Sequence, residues 1–275
     1  MADKVSETQA KWKEPFGRLS AYIEEMGNLA SMTHKGAHMV STHPEIMEIL
    51  EGFDDDVYNE AKTHAEFAKK EMENGFPLLH AHSLMGLWGA LEAAVEDLVI
   101  SWVSMFPELL ANSAFAKVKV PLAEFQAMSD EDRTRFLVNE VQRDLKVDLR
   151  GGVSRFEALL GAVGLDGRVD KRVKQALYDL QNVRNVWAHR GGVADRKMAK
   201  NCPHLPYTEG QRVAIDKEEL NRYMQAVSLY CMTIIYRCRL KQGMPLKRPD
   251  NIVEFEGALD FFFEAKKEPS RQPEN

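Results

Sequence analysis

The chain has 275 residues, of which 44% are hydrophobic and 28% charged, and its formal net charge is −6 at pH 7. This is ordinary for a soluble globular protein, and the length suffices to bury a sizeable core without covalent staples. The negative balance argues against a general nucleic-acid coat but leaves room for a local basic site.

Cys202, Cys231 and Cys238 are too few and too clustered for a disulfide framework, which points to reduced thiols in a cytoplasmic protein. The N-terminus meets no apolar run before Phe16, so no signal peptide is expected. The most apolar stretch, Gly86 to Val103, is interrupted by Glu92, Glu96 and Asp97. A membrane span needs roughly 20 predominantly apolar residues. This stretch therefore reads as a buried core helix, and no membrane partner is expected.

In chain order, Phe16, Leu19, Ile23, Met26 and Ala30 recur at three- and four-residue steps, which predicts a first amphipathic helix. Pro44 stands where another helix can begin, leading Glu45 to Leu50, and a further helix is predicted from Val57 to about Glu73. His34, His38 and His43 would then lie between the first two helices. No second pair of good ligands accompanies them, so no metal site is expected there, and no metal or cofactor is assigned to the chain.

Asn74-Gly75-Phe76-Pro77 is a break and sets a boundary. Beyond it, Leu84, Trp88, Leu91, Val95, Leu98 and Trp102 trace one stripe at period 3.6 on a core helix from Leu78 to Met105. Glu92 falls within the apolar edge of that helix, where a carboxylate is costly unless paired. His80 and His82, at its entrance, read as structural.

Ser129 followed by Asp130, Glu131 and Asp132 predicts a capped helix carrying Phe136, Leu137 and Val141. Gly151-Gly152 interrupts, and Phe156, Leu159 and Leu160 make a short helix. A long helix follows from Asp170 to His189. Tyr207 to Ile215 is turn-rich, with a short strand or hairpin at most, and Asp216 caps a last core helix along Leu220, Tyr223, Val227, Tyr230, Ile234 and Arg237. The tail after Lys266 is expected to be disordered. The fold class is all-α: a helical extension over 1–75, a helical bundle over 76–240, and a C-terminal extension over 241–275.

Val173, Ala176, Leu177, Leu180, Val183 and Trp187 form the buried stripe of the 170–189 helix, and Arg184 lies on the same face one turn past Leu180. An arginine in such a stripe must be paired or must point into a working cavity. Glu92 is the natural structural partner. His189 is rotated about 140° from Arg184 on an ideal helix, whereas Asn185 is about 40° from it. Gly191-Gly192 allows the last turn to unwind. Between Arg168 and Lys200 there are nine Lys or Arg against three Asp, a local balance of +6 in an acidic chain. Lys171, Lys174, Arg190, Arg196, Lys197 and Lys200 are thus candidate RNA-binding residues, because clustered cations are the footprint expected for phosphate backbone.

Arg184-Asn185, three residues, then His189, within "LQNVRNVWAHRGG", resembles the signature of HEPN domains: an arginine, usually followed by a polar residue, and a histidine after four to six residues. The resemblance covers roughly 76–240; residues 1–75 have no counterpart in it. It implies a small helical bundle, usually dimeric, with two motifs meeting across the two-fold axis. It further implies a metal-independent endoribonuclease of toxin–antitoxin or phage-defence type, with a possible antitoxin or regulatory protein as partner. Catalytic roles would fall to Arg184, Asn185 and His189. The alternative is a non-catalytic domain that dimerises and binds RNA or protein through the same residues. A nucleotide-modifying enzyme has little support, since the sequence carries no glycine-rich phosphate loop and no paired metal-binding carboxylates.

Overall fold

The computed structural model describes residues 11–50, 52–145, 151–248 and 255–263. Helices account for most of them. α1 runs Glu14–Leu50, α2 Asp55–Glu73 and α3 Pro77–Met105. Short helices α4 (Ser113–Ala116) and α5 (Leu122–Ala127) lead to α6 (Asp130–Leu145) and α7 (Ser154–Ala162). α8 (Lys171–Arg190), α9 (Arg196–Asn201) and α10 (Lys217–Lys241) complete the set. The tail beyond Lys266 lies outside the described residues.

α3 is the centre of the bundle because it is apolar on nearly every side. Its stripe from Leu84 to Trp102 is buried, and so are Leu87, Ala94, Val99 and Val103. Such a helix cannot lie at a surface, and α1, α6, α7, α8 and α10 all pack on it. α10 buries all six of its predicted stripe residues. Arg237 is tolerated in that stripe because Glu157 lies 3.0 Å from its Nη1, which also donates to the Leu165 carbonyl. The cap residues act as the sequence implies: Ser129 Oγ accepts from the Asp132 amide and the Asp216 side chain from the Glu219 amide.

The N-terminal region differs from expectation. α1 is one continuous helix of 37 residues with Pro44 inside it, so His34, His38 and His43 are helical rather than in a connection. An interior proline costs roughly 3 kcal/mol. Here α2 packs along α1, and Ser41, Pro44 and Met47 are buried. Ser41 Oγ and Thr42 Oγ1 donate to carbonyls of the preceding turn. Packing along the whole hairpin outweighs the lost backbone bond. The first half of α1 belongs to the main core through Phe16, Leu19 and Met26, and just before it Trp12 is fully buried, meets Trp102 edge-on at 6.3 Å, and donates Nε1 to Gln242.

Tyr207 to Ile215 forms no hairpin with itself. Val193 and Arg212 make an isolated antiparallel bridge, and the Val213 amide donates to the Gly192 carbonyl at 2.8 Å. The 207–215 segment thus ties back to the turn after α8. Among the described residues no helix is long and apolar enough to cross a membrane. The three cysteines are free and buried. Burial pushes each thiol up to about 12, with the Asp179 carboxylate adding to the effect at Cys202.

Candidate functional site

α8 starts where the Asp170 side chain accepts from the Arg172 amide. The predicted stripe, Val173 through Trp187, is buried. Arg184 is half-buried at its edge rather than within it. Its Nη1 donates to Asn185 Oδ1 at 3.2 Å, and its Nε is buried with no hydrogen-bond partner among the described residues.

Glu92 is not the partner of Arg184. It pairs with Arg155 of α7 at 2.6 Å. The correction has a plain geometric cause: the outer edge of α3 at Glu92 faces α7, and Arg155 reaches it from there. Arg155 was hidden in the sequence because it sits in a short helix with no obvious stripe.

The last turn of α8 does not unwind. It stays α-helical through Arg190 and stops because Gly191 and Gly192 adopt left-handed φ of 58° and 83°, their amides both turned to the Val186 carbonyl. Gly192 has a second reason to lack a side chain, since a Cβ there would lie 2.9 Å from the Trp187 ring. The ideal-helix angles therefore hold: Asn185 and His189 share a face, while Arg184 stands about 140° from His189. His189 is exposed. The guanidinium of Arg212 lies over the Trp187 ring at 5.1 Å, and Trp187 Nε1 is buried without a hydrogen-bond partner among the described residues.

All six candidate RNA-binding residues are exposed, but they do not form one patch. Lys171 and Lys174 stand roughly 27 and 22 Å from His189 along α8, at 1.5 Å per residue. Arg190 is at the motif, 3.9 Å from Asp195. Arg196, Lys197 and Lys200 lie on α9, which runs back beside α8, with Asn201 Nδ2 donating to Asn182 Oδ1. The basic surface near the motif is thus Arg190 and α9, without the two early lysines.

A second polar cluster escaped the sequence reading. Asp179 is fully buried on α8 and accepts from Gln175 at 2.9 Å, with the half-exposed His204 at 3.0 Å and Arg222 at 3.7 Å. Glu219 and Tyr223 sit beside it, sharing a 2.8 Å bond, and burial raises both their pKa values. The available signal was the one noticed for Glu92: Asp179 falls three residues after Ala176 and four before Val183, inside an apolar stripe. Its partners come from two other segments, so no local pattern announces them.

Geometrically, then, the all-α bundle presents at the end of α8 a guanidinium held by a neighbouring amide and an exposed imidazole one turn beyond that amide. Comparison with protein-family models, curated proteins and solved structures gives no match.

Proposed function

We propose that the chain is a HEPN-type, metal-independent endoribonuclease acting as a homodimer. The observation that carries this reading is the Arg184–Asn185 bond on a helix that stays regular to its end, with His189 exposed one turn past Asn185. Within one copy the arginine and the histidine diverge. Two copies facing each other through the Asn185–His189 face would bring them into a shared cleft.

In this reaction the RNA 2′-hydroxyl oxygen forms a bond to the adjacent phosphorus, and the bond from phosphorus to the 5′-oxygen breaks. His189 takes the 2′-hydroxyl proton, and a proton is returned to the leaving 5′-oxygen. Arg184 offers a planar, permanently charged fork to the phosphorane oxygens. Asn185 orients Arg184 through its side-chain oxygen. The products are a 2′,3′-cyclic phosphate and a 5′-hydroxyl. Exposed Arg190, Arg196, Lys197 and Lys200 supply sequence-independent affinity for the backbone.

The test is to incubate the pure protein with mixed RNA in EDTA and analyse the product ends. His189→Ala and Arg184→Ala should each lower cleavage strongly, by roughly 10²–10⁴-fold for a placed proton carrier, with RNA affinity largely kept. Absence of cutting by wild type, or wild-type cutting by His189→Ala, overturns the reading.

A further inference from the structure

Where α1, the start of α3 and the start of α10 meet, there is a cavity of 230 Å³ lined by His34, Lys35, His80, Lys217, Leu220 and Asn221, among others. None of the residues of the motif or of the Asp179 cluster lines it. Its size falls below the roughly 300–1,000 Å³ of sites for drug-sized ligands, so its occupant is small.

Each of its two histidines has a buried ring nitrogen without a hydrogen-bond partner among the described residues. His80 is 1% exposed, and its Nδ1 lies 2.7 Å from the Ile215 carbonyl oxygen. A carbonyl only accepts, so Nδ1 carries a proton, and an imidazole with its one proton on Nδ1 presents a lone pair at Nε2. That Nε2 is buried with no hydrogen-bond partner among the described residues, and so is Nε2 of His34. The two ring centroids are 5.5 Å apart. His34 is held in place by stacking on Phe76 at 4.2 Å, and Phe76 adopts a left-handed φ of 58° that a bulky side chain rarely takes. Buried acceptors left open in this way are uncommon and costly.

Lys35 and Lys217 make the cavity positive, which disfavours a divalent cation. Burial, then His80 and Lys217, hold the His34 imidazole below its ordinary value, which favours the neutral ring with one acceptor nitrogen. Asp216 is not among the lining residues, and its carboxylate accepts from the Glu219 amide of its own helix. An occupant must therefore be anionic and yet carry a proton to donate. Sulfate and RNA phosphodiesters have no such proton at neutral pH; inorganic phosphate keeps one, and a phosphate monoester has it only in its minor monoanionic fraction.

We propose that this cavity binds a protonated phosphate group, whose P–O–H donates to His80 Nε2 or His34 Nε2 while its other oxygens accept from Lys35 and Lys217. The proposal goes beyond the nuclease reading and stands whether or not the chain cuts RNA.

The test is calorimetric titration of the full chain at pH 7 and constant ionic strength with inorganic phosphate, sulfate, adenosine 5′-monophosphate and zinc chloride. Phosphate should saturate one site, with sulfate about tenfold weaker or more, as expected for the loss of one charge-assisted hydrogen bond. Lys217→Met, an exposed change, should weaken phosphate by a similar factor with an unchanged circular dichroism spectrum, and at least one of His34→Phe and His80→Phe, the one that removes the accepting nitrogen, should erase the preference over sulfate. If the nucleotide binds as well as phosphate, the source is a terminal phosphate on a larger molecule; if it does not, the source is the free ion. Equal binding of sulfate, no saturation by phosphate, an unaltered Lys217→Met, or histidine-dependent binding of zinc alone overturns the proposal.

Discussion

Arg155 Nη2 meets Glu92 Oε1 at 2.6 Å and thereby joins α7 to the central helix α3. The pair is largely shielded, each side chain being 27% exposed, so it outweighs a surface ion pair. A double-mutant cycle of Glu92→Ala with Arg155→Ala should return a coupling of about 1–2 kcal/mol in urea unfolding. The same cycle with Arg184→Ala should show coupling no larger than about 0.5 kcal/mol, the usual limit for independent sites. A substantial Glu92–Arg184 coupling would contradict the pairing seen here.

The divergence of Arg184 and His189 on α8 makes a composite site directly testable. Arg184→Ala and His189→Ala proteins, each inactive alone under the nuclease reading, should recover measurable cleavage when mixed and allowed to exchange subunits. If each copy held a complete site by itself, each heterodimer would have no intact site and mixing would restore nothing.

Gly192 should resist substitution more than Gly191. Both have left-handed φ, but only at Gly192 would a Cβ press on the Trp187 ring; at Gly191 it meets nothing within 4 Å. Gly191→Ala should cost about 1–2 kcal/mol from the left-handed backbone alone. Gly192→Ala should cost more, with strain of this kind reaching about 3 kcal/mol, and should shift Trp187 fluorescence. Equal denaturation midpoints for the two variants would count against the observed turn.

His34 should give the fold a sensitivity to acid. Its imidazole is held below the ordinary 6.5 by burial first and by His80 and Lys217 next. The unfolded chain therefore takes up the proton more readily. Stability from this group is full above pH 6.5 and is lost as pH falls from there through the folded-state value. Unfolding midpoints at pH 7.5 and pH 5.5, in phosphate-free buffer, should differ more for wild type than for His34→Phe. An identical pH dependence would show that His34 carries no such linkage.

What the sequence by itself determined is the set of long helices and their buried faces. In α3, α8 and α10 the apolar residues repeat at the helical period over many turns, and the caps Asp170 and Asp216 at the starts of α8 and α10 agree with that reading. Such information is local. The Arg184-Asn185-His189 spacing was also legible, and on a regular helix it fixes which residues share a face.

Tertiary structure decided which charges meet. Glu92 and Asp179 are each conspicuous as carboxylates in apolar stripes, but Arg155, His204 and Arg222 reach them from other segments, at positions with no periodic signal. The continuity of α1 through Pro44 was decided the same way, since the proline penalty is local and the packing against α2 that outweighs it is not. The cavity between His34 and His80 needs three separate helices and the Ile215 carbonyl to exist at all. Neighbours along the chain are set by helical geometry; neighbours across it depend on how the helices are stacked.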